Sequence, residues 1–165
     1  MIDLRVAGPR SFPAIDLDLY RLESVKVVYV DDDSVSRDLL VEFFRLLSDL
    51  ELIVASNLGE AHAAIDEHRP SVVVADAWLG QTCADSFVAE ILGSLRPDAP
   101  RVVILSADAN ASTVARFRRL GVSSYMRKPI DLGILARVLR ELARGVDAQH
   151  EGIGSSARTI TTSGN

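Results

Sequence analysis

Short apolar runs alternate with longer amphipathic stretches between residues 25 and 144 of this chain. Five of these runs hold five or six residues and are rich in valine, isoleucine and leucine, which predicts strands buried on both faces of a sheet. The predicted strands comprise residues 25–30, 51–55, 71–76, 101–106 and 122–127. Because strands and helices alternate, we expect a parallel sheet with right-handed crossovers and helices on both faces.

The stretches between the strands carry apolar residues at spacings of three and four, which is typical of amphipathic helices. We expect Ser34 to cap the first helix. Its predicted buried stripe comprises Leu39, Leu40, Phe43, Leu46, Leu47 and Leu50. A loop containing Gly80 follows the third strand. Gly121 is predicted to end the fourth helix and Asp131 to cap the fifth.

The two ends of the chain lack this regular alternation. Residues 1–24 contain two prolines and one weakly alternating piece, so we expect a flexible extension. Residues 145–165 are rich in Gly, Ser and Thr and have no apolar stripe, which predicts a disordered tail or linker. No helix-turn-helix pattern follows, so an output domain is not expected.

Composition narrows the classes of function. The net charge of −5 over 165 residues argues against non-specific binding to nucleic acid. No apolar run is long enough to span a bilayer, and the first residues lack the layout of a signal peptide. Cys83 is the only cysteine, so no internal disulfide can form, and a cytoplasmic location is the simplest interpretation.

Polar side chains stand at the ends of four predicted strands. Asp31 and Asp32 follow the first strand, Asp76 ends the third, Ser106 ends the fourth and Lys128 follows the fifth. Ligands bind at the carboxyl edge of open α/β sheets. If the four strands are central neighbours, these five residues lie together at that edge.

The chemistry of this predicted cluster suits a metal ion and a phosphoryl group. Clustered carboxylates need a cation among them, and oxygen ligands with room for water suit Mg²⁺. A lysine and a hydroxyl can bind phosphoryl oxygens, and a carboxylate can itself accept the phosphoryl group. Lys128 is one of two lysines in a chain with sixteen arginines, and arginine would not replace a compact ammonium at such a site.

Four segments, residues 30–37, 73–76, 103–107 and 124–129, resemble the receiver domain of two-component response regulators. They read Val-Asp-Asp-Asp-Ser-Val-Ser-Arg, Val-Val-Ala-Asp, Val-Ile-Leu-Ser-Ala and Ser-Tyr-Met-Arg-Lys-Pro. The resemblance covers residues 25–144. It implies a CheY-like, flavodoxin-like α/β fold, with a five-stranded parallel sheet of order 2-1-3-4-5 flanked by five helices.

The resemblance implies a role for each residue of the acidic site. Asp76 corresponds to the phosphoacceptor. Asp31, Asp32, Asp76 and the backbone carbonyl of Trp78 correspond to the ligands of Mg²⁺. Lys128 corresponds to the lysine that pairs with a phosphoryl oxygen, and it precedes a proline whose peptide bond is usually cis in this family.

The resemblance also implies a switch and its partners. Ser106 corresponds to the hydroxyl that moves onto the phosphoryl group, and Tyr125 to the aromatic residue that then turns inward. A histidine kinase or histidine phosphotransfer protein would donate the phosphoryl group. A downstream protein would dock on the fourth helix, fifth strand and fifth helix, a surface that could also form a homodimer. We expect no enzymatic turnover beyond self-phosphorylation and autodephosphorylation, and no nucleic-acid or membrane partner.

The chain departs from the usual family pattern near the phosphoacceptor. Leu79 and Gly80 replace a Met-Pro or Leu-Pro pair, and Ala84 replaces a glycine, which we interpret as changes of loop shape rather than of chemistry. Trp78 occupies a position that shapes access of water to the aspartyl phosphate in this family. We hypothesise that its indole slows autodephosphorylation.

Two other functions fit parts of the pattern. Asp31 could be the nucleophile of a haloacid-dehalogenase-like phosphatase, with Ser106 and Lys128 in supporting roles. That interpretation leaves Asp76 unexplained and lacks a further acidic motif after Lys128. The chain could also be a receiver-like interaction module that is never phosphorylated, although the complete set of site residues argues against it.

Overall fold

The structure, a computed structural model, describes residues 24–94, 98–108 and 110–145. Its five longer strands are β1 (Val25–Val30), β2 (Leu50–Ala55), β3 (Val72–Asp76), β6 (Arg101–Ser106) and β7 (Ser124–Arg127). Two short strands, β4 (Trp78–Leu79) and β5 (Thr82–Cys83), form a hairpin after β3. The helices are α1 (Ser34–Phe44), α2 (Leu58–His68), α3 (Asp85–Gly93), α4 (Ala111–Leu120) and α5 (Leu132–Ala143).

The five longer strands form one parallel sheet in the order β2-β1-β3-β6-β7. Counted among these strands alone, the order is 2-1-3-4-5, so the predicted flavodoxin-like topology is confirmed. Val30 lies beside both Ala55 and Ala75, and Ser106 lies beside Arg127. The register therefore brings the carboxyl ends of the strands to one edge of the sheet.

Successive residues of the central strands enter two separate cores. Val27 and Tyr29 of β1 pack in a core with α1 and α5, whereas Val28 and Val30 pack in the core with α2, α3 and α4. Side chains alternate between the faces of a strand, so a strand covered on both faces must be apolar at every position. Burial of each valine side chain stabilises the folded domain by about 1.5–3 kcal/mol. The buried strands thereby support the polar edge of the sheet.

The caps of the helices follow local side-chain chemistry. Asp33, rather than the predicted Ser34, caps α1, because its carboxylate accepts hydrogen bonds from the backbone N–H groups of Val35 and Ser36. The predicted cap at Asp131 is confirmed by its bond from the Ile134 N–H group. Gly121 ends α4 as predicted, with a φ of 93° that glycine adopts without strain.

The predicted stripe of α1 was partly wrong. Leu39 is 57% exposed and Leu46 is 80% exposed, whereas Leu40 is buried and Phe43 and Leu47 pack partly against the core. The helix ends at Phe44, so Leu46 lies in the turn before β2. Leu39 stands about 100° around the helix from Leu40, outside the narrow face that contacts the sheet.

Two further sequence predictions concern the loop after β3 and the ends of the chain. The loop predicted around Gly80 contains the β4–β5 hairpin. The sequence did not predict this hairpin because each of its strands has only two residues. The predicted extension at residues 1–24 and tail at residues 145–165 lie outside the described residues, apart from Ser24 and Gly145. Among the helices of residues 24–94, 98–108 and 110–145, none has the length and apolar character needed to cross a bilayer.

Candidate functional site

The carboxyl edge of the sheet gathers polar side chains from four strands. Asp31 directly follows β1, Asp76 is the last residue of β3, Ser106 is the last residue of β6, and Lys128 directly follows β7. These four strands are consecutive neighbours in the sheet. The structure therefore places the four residues at one edge, where open α/β sheets bind ligands.

Lys128 joins two of the carboxylates. Its Nζ atom donates a hydrogen bond to Asp31 Oδ2 at 2.9 Å and another to Asp76 Oδ2. The side chain of Asp31 is 1% exposed and that of Asp76 is 15% exposed, so both need a nearby positive charge. The peptide bond between Lys128 and Pro129 is cis, as the resemblance implied.

The local environment keeps Lys128 charged. Burial lowers its pKa, but hydrogen bonds and charges from Asp76 and Asp31 outweigh this effect and raise the pKa above its ordinary value. A protonated lysine is a compact point charge with three donors, which suits contact with several oxygens at once. The Lys128 ammonium is therefore a charged group held between two carboxylates of the site.

The β4–β5 hairpin holds Asp76 from another side. The Trp78 N–H group donates to Asp76 Oδ1 at 3.0 Å, so both oxygens of this carboxylate accept hydrogen bonds. The Ala77 N–H group donates to the Leu105 carbonyl at 2.8 Å and anchors the start of the hairpin on β6. Trp78 is 40% exposed. Asp76 is thus oriented by the backbone while it stays accessible to solvent.

Asp32 makes a contact that the sequence analysis missed. Its Oδ2 atom accepts a hydrogen bond from the Gly80 N–H group at 2.9 Å. Gly80 has a φ of +61°, which glycine adopts readily, and it supplies an N–H group where a proline would have none. The Leu79-Gly80 departure thus places a backbone N–H group against an acidic site residue, and the interpretation that it changes loop shape rather than chemistry stays a prediction.

The acidic residues have the donor chemistry of a Mg²⁺ site but do not converge as a ready-made cage. The carboxylates of Asp31, Asp32 and Asp76 and the Trp78 carbonyl are all oxygen ligands of the kind that Mg²⁺ takes. Within the described part of the chain, no group of three or more His, Cys, Asp or Glu side chains is placed to hold a metal ion. Lys128 lies between Asp31 and Asp76, and Asp32 is turned towards Gly80.

Ser106 and Tyr125 meet at the same loop, between β6 and α4. The buried Ser106 Oγ accepts a hydrogen bond from the Asp108 N–H group at 3.0 Å, and the Tyr125 hydroxyl donates to the Asp108 carbonyl at 2.7 Å. Thr113 of α4 donates its hydroxyl hydrogen to the Asp108 carboxylate at 2.9 Å. Burial raises the pKa of Tyr125, so its hydroxyl keeps the donated proton. The loop therefore connects Ser106 with both Tyr125 and α4.

Two side chains that contact Asp31 escaped the sequence analysis. Tyr29 is buried, and its hydroxyl donates to Asp31 Oδ2 at 2.5 Å. Burial and the neighbouring Asp31 raise the pKa of Tyr29, which therefore stays neutral. Arg37 donates from Nη1 to the Asp31 carbonyl at 2.7 Å. The available signal was a tyrosine two residues before Asp31, on the same face of an otherwise valine-rich strand.

A family model described as the response regulator receiver domain matches residues 27–140. This match spans more than half of the chain and includes every residue of the acidic edge. The chain belongs to the response regulator receiver domain family. It is therefore a receiver domain of the kind found in two-component response regulators.

Two transcriptional regulatory proteins are similar to this receiver domain in sequence. CitB of Klebsiella pneumoniae is 22% identical over 124 residues, which cover 74% of this chain and 52% of CitB. DpiA of Escherichia coli (strain K12) is 25% identical over 114 residues, which cover 68% of this chain and 50% of DpiA. The chain thus spans about half the length of these two relatives.

Solved receiver structures share the fold. A response regulator receiver protein from Pseudomonas putida superimposes with a TM-score of 0.65 at 22% identity, covering 72% of this chain and 97% of that protein. The chemotaxis response regulator CheY4 of Vibrio cholerae gives a TM-score of 0.64 at 18% identity, covering 72% of this chain and 98% of CheY4. Both comparisons support the sheet order described above.

Proposed function

We propose that this receiver domain, residues 25–144, is a phosphoacceptor switch. In this proposal, Asp76 accepts a phosphoryl group from a histidine kinase or a histidine phosphotransfer protein. A bond forms between an Asp76 carboxylate oxygen and phosphorus while the bond from phosphorus to the donor imidazole nitrogen breaks, and the imidazole keeps the electron pair. The chain acts as a switch, and self-phosphorylation and autodephosphorylation are its only proposed reactions.

The pairing of Asp76 with Lys128 is the observation that carries this proposal. The partly exposed Asp76 can be reached by a donor, and Lys128 already contacts its Oδ2 atom. A fixed ammonium next to the acceptor stabilises the negative charge that the incoming phosphoryl oxygens bring. We assign Lys128 to bind one of these oxygens after transfer.

Mg²⁺ is part of the proposed site. Asp31, Asp32, Asp76 and the Trp78 carbonyl would hold it, and a bound divalent cation would neutralise phosphoryl oxygens. The Asp32 carboxylate would exchange its hydrogen bond from the Gly80 N–H group for a contact with Mg²⁺. These residues fit Mg²⁺ by the chemistry of their oxygen donors.

We further propose that Ser106 reports phosphorylation to the surface of the domain. Its hydroxyl would donate to a phosphoryl oxygen, which draws the β6–α4 loop towards Asp76. Asp108 of this loop contacts Tyr125 and Thr113, so the movement reaches β7 and α4. This contact chain supports the roles of Ser106 and Tyr125 as the switch pair.

The proposed docking surface consists of α4, β7 and α5. Residues 110–145 contain eight basic and only two acidic residues, although the whole chain has a net charge of −5. The exposed arginines are Arg116, Arg118, Arg119, Arg127, Arg137 and Arg144. A symmetric homodimer through this surface would place like charges opposite each other, so an acidic protein partner fits it better. A cytoplasmic location remains part of the proposal.

The geometry favours Asp76 over Asp31 as the nucleophile. Asp31 is almost fully buried and accepts hydrogen bonds from Tyr29, Lys128 and the Asp33 N–H group. A carboxylate so enclosed has no free approach for an external phosphoryl donor. The phosphatase alternative, in which Asp31 attacks the substrate, therefore has less support than transfer to Asp76.

Fluorescence of Trp78, the only tryptophan, tests the proposal directly. We expect one change on titration with Mg²⁺ and a second on addition of beryllofluoride, a mimic of the phosphoryl group. The backbone N–H group of Trp78 donates to Asp76, so the fluorescent residue directly contacts the proposed phosphoacceptor. The Asp76→Asn variant serves as the control and should lose the second change.

Two other results would contradict the proposal. An absence of response to both ligands, with an equally silent calorimetric titration, would favour the module that is never phosphorylated. A beryllofluoride response that persists in Asp76→Asn would exclude Asp76 as the acceptor and would favour Asp31 as the nucleophile.

A further inference from the structure

Tyr29 contacts the acidic site from inside the protein core. Its ring belongs to the core formed with α1 and α5, and the residue is 1% exposed. Residues two apart project from the same face of a strand, so the Tyr29 side chain lies on the same side as Asp31, which directly follows β1. Its hydroxyl donates a hydrogen bond of 2.5 Å to Asp31 Oδ2.

The Asp31 carboxylate accepts hydrogen bonds from one backbone N–H group and from two side chains, Tyr29 and Lys128. The Asp33 N–H group binds Oδ1 at 2.9 Å, and the Lys128 ammonium binds Oδ2 at 2.9 Å. Lys128 is shared with Asp76 and stands partly exposed, whereas Tyr29 is buried and neutral. Tyr29 is therefore the only one of these side-chain donors that is fixed by packing on all sides.

A hydrophobic residue would fill the same space in the core. The neighbouring buried positions of β1 are Val27, Val28 and Val30, which pack without a polar group. A buried hydroxyl is tolerated when it has a hydrogen-bond partner, and here that partner is the Asp31 carboxylate. The hydroxyl thus has its contact at the site rather than within the core.

We infer that Tyr29 is a positioning residue that holds the Asp31 carboxylate in the orientation required for Mg²⁺ binding, an inference that rests on the proposed function. Without its hydroxyl, Oδ2 would be bound by Lys128 alone, which also binds Asp76, and the carboxylate could pivot about the Oδ1 atom that the Asp33 N–H group holds. Groups that orient a metal ligand commonly change metal affinity by about 10–100-fold when they are removed.

A double-mutant cycle of Tyr29→Phe and Asp31→Asn tests this inference. Tyr29→Phe keeps the ring and removes only the hydroxyl. We measure Mg²⁺ affinity from Trp78 fluorescence, excited at the red edge where tyrosine does not absorb, and by calorimetry. We expect Tyr29→Phe to weaken Mg²⁺ binding about tenfold in the wild-type background. It should have no further effect in the Asp31→Asn background, because the group it positions is already changed.

Val138→Ala is the matched control for general loosening of the core. Val138 lies in the same core as Tyr29, on α5, and is buried. This variant should lower the unfolding midpoint in urea and leave Mg²⁺ affinity unchanged. If Val138→Ala weakens Mg²⁺ binding as much as Tyr29→Phe does, the effect is one of stability and the inference is wrong.

The outcomes separate this inference from the proposed function. A wild-type chain that binds no Mg²⁺ would contradict the proposed site as a whole. A wild-type chain that binds Mg²⁺ with the same affinity as Tyr29→Phe would overturn only the role of Tyr29. A loss of equal size in the Asp31→Asn background would also overturn it, since Tyr29 would then act without Asp31.

Discussion

The ammonium of Lys128 places a permanent positive charge between Asp31 and Asp76. Its contacts raise the pKa of Lys128 despite burial, so this charge persists up to and beyond the ordinary pKa of lysine. A planar guanidinium has a different shape and a fixed set of directions for its donors. A single compact ammonium can donate to both carboxylates, which explains a lysine at this position in a chain that otherwise uses mainly arginine.

Trp78→Asn tests the hypothesis that the indole slows autodephosphorylation. We expect the aspartyl phosphate to decay about tenfold faster, which corresponds to about 1.4 kcal/mol in the activation barrier. The smaller side chain would open the approach of water beside Asp76, whose carboxylate is bonded to the Trp78 N–H group. The lifetime is followed by the loss of radiolabel from the phosphorylated chain in the presence of Mg²⁺.

Thr82→Ala provides the comparison for Trp78→Asn, since it changes the facing strand of the same hairpin. Its phosphate lifetime should match that of the wild-type chain. Equal lifetimes for the wild-type chain and Trp78→Asn would contradict the hypothesis and leave the indole without a role in hydrolysis.

At the scale of elements, α2 ends in a strained residue. Arg69 forms its C-cap with a φ of +48°, in the left-handed region that favours glycine. A non-glycine residue there costs about 1–2 kcal/mol. The Arg69 guanidinium also approaches Asp98 at 3.5 Å, an exposed ion pair that offsets only a small part of this cost.

Arg69→Gly should therefore stabilise the domain. We expect the free energy of unfolding to rise by about 0.5 kcal/mol, because relief of backbone strain exceeds both the lost ion pair and the added chain entropy of glycine. Urea unfolding followed by circular dichroism measures the change. Arg69→Ala removes the same ion pair but keeps the strain, so it should be no more stable than the wild-type chain. Equal stability of the glycine and alanine variants would contradict the strain argument.

An ion pair ties α5 to the turn before β2. Arg140 donates from Nε and Nη2 to the two carboxylate oxygens of Asp49, at 2.5 and 2.8 Å. The hydrogen bonds from Arg140 hold the pKa of Asp49 below its ordinary value. Because the pKa is lowered in the folded state, the pair stabilises the domain fully above the ordinary pKa of aspartate, and this stabilisation is lost as the pH falls through the lower pKa of the folded state.

Asp49→Asn should show this dependence on pH. We expect the variant to be less stable than the wild-type chain by about 0.5 kcal/mol at neutral pH, a small value because both side chains are partly exposed. The difference should shrink as the pH falls through the pKa of the folded state. Urea midpoints measured at several pH values test this, and a constant difference at all pH values would exclude the ion pair as its cause.

At the scale of the whole molecule, the sheet couples the site to the rest of the domain. The acidic edge depends on β1, β3, β6 and β7 lying in register, and the same strands hold both cores together. A ligand bound at this edge is lost when the strands separate. Binding should therefore stabilise the folded domain as a unit.

Mg²⁺ together with beryllofluoride should raise the free energy of unfolding. At ligand concentrations about 100 times the dissociation constant, linkage gives about 2.7 kcal/mol. Urea unfolding with Mg²⁺ alone, and with both ligands, measures the two contributions. The beryllofluoride contribution should disappear in Asp76→Asn, and its persistence there would contradict binding at Asp76.

Much of the site was predictable because its residues stand at the ends of apolar runs that can be recognised in the sequence. Asp76, Ser106 and Lys128 each interrupt or follow a buried apolar run, and such runs are read directly from the sequence. Tyr29 was missed because a buried tyrosine in a strand is usually a packing residue. The Gly80 contact with Asp32 was missed because it joins residues that are 48 positions apart through a backbone N–H group.

The sequence by itself determined the order of strands and helices, the two-faced burial of the sheet and the edge at which the polar residues stand. These follow from short-range periodicity and from the chirality of parallel crossovers. Only the tertiary structure decided which groups touch there: Lys128 between Asp31 and Asp76, Tyr29 on Asp31, and Asp32 on Gly80. Such contacts depend on rotamers and loop conformations that distant parts of the chain set together.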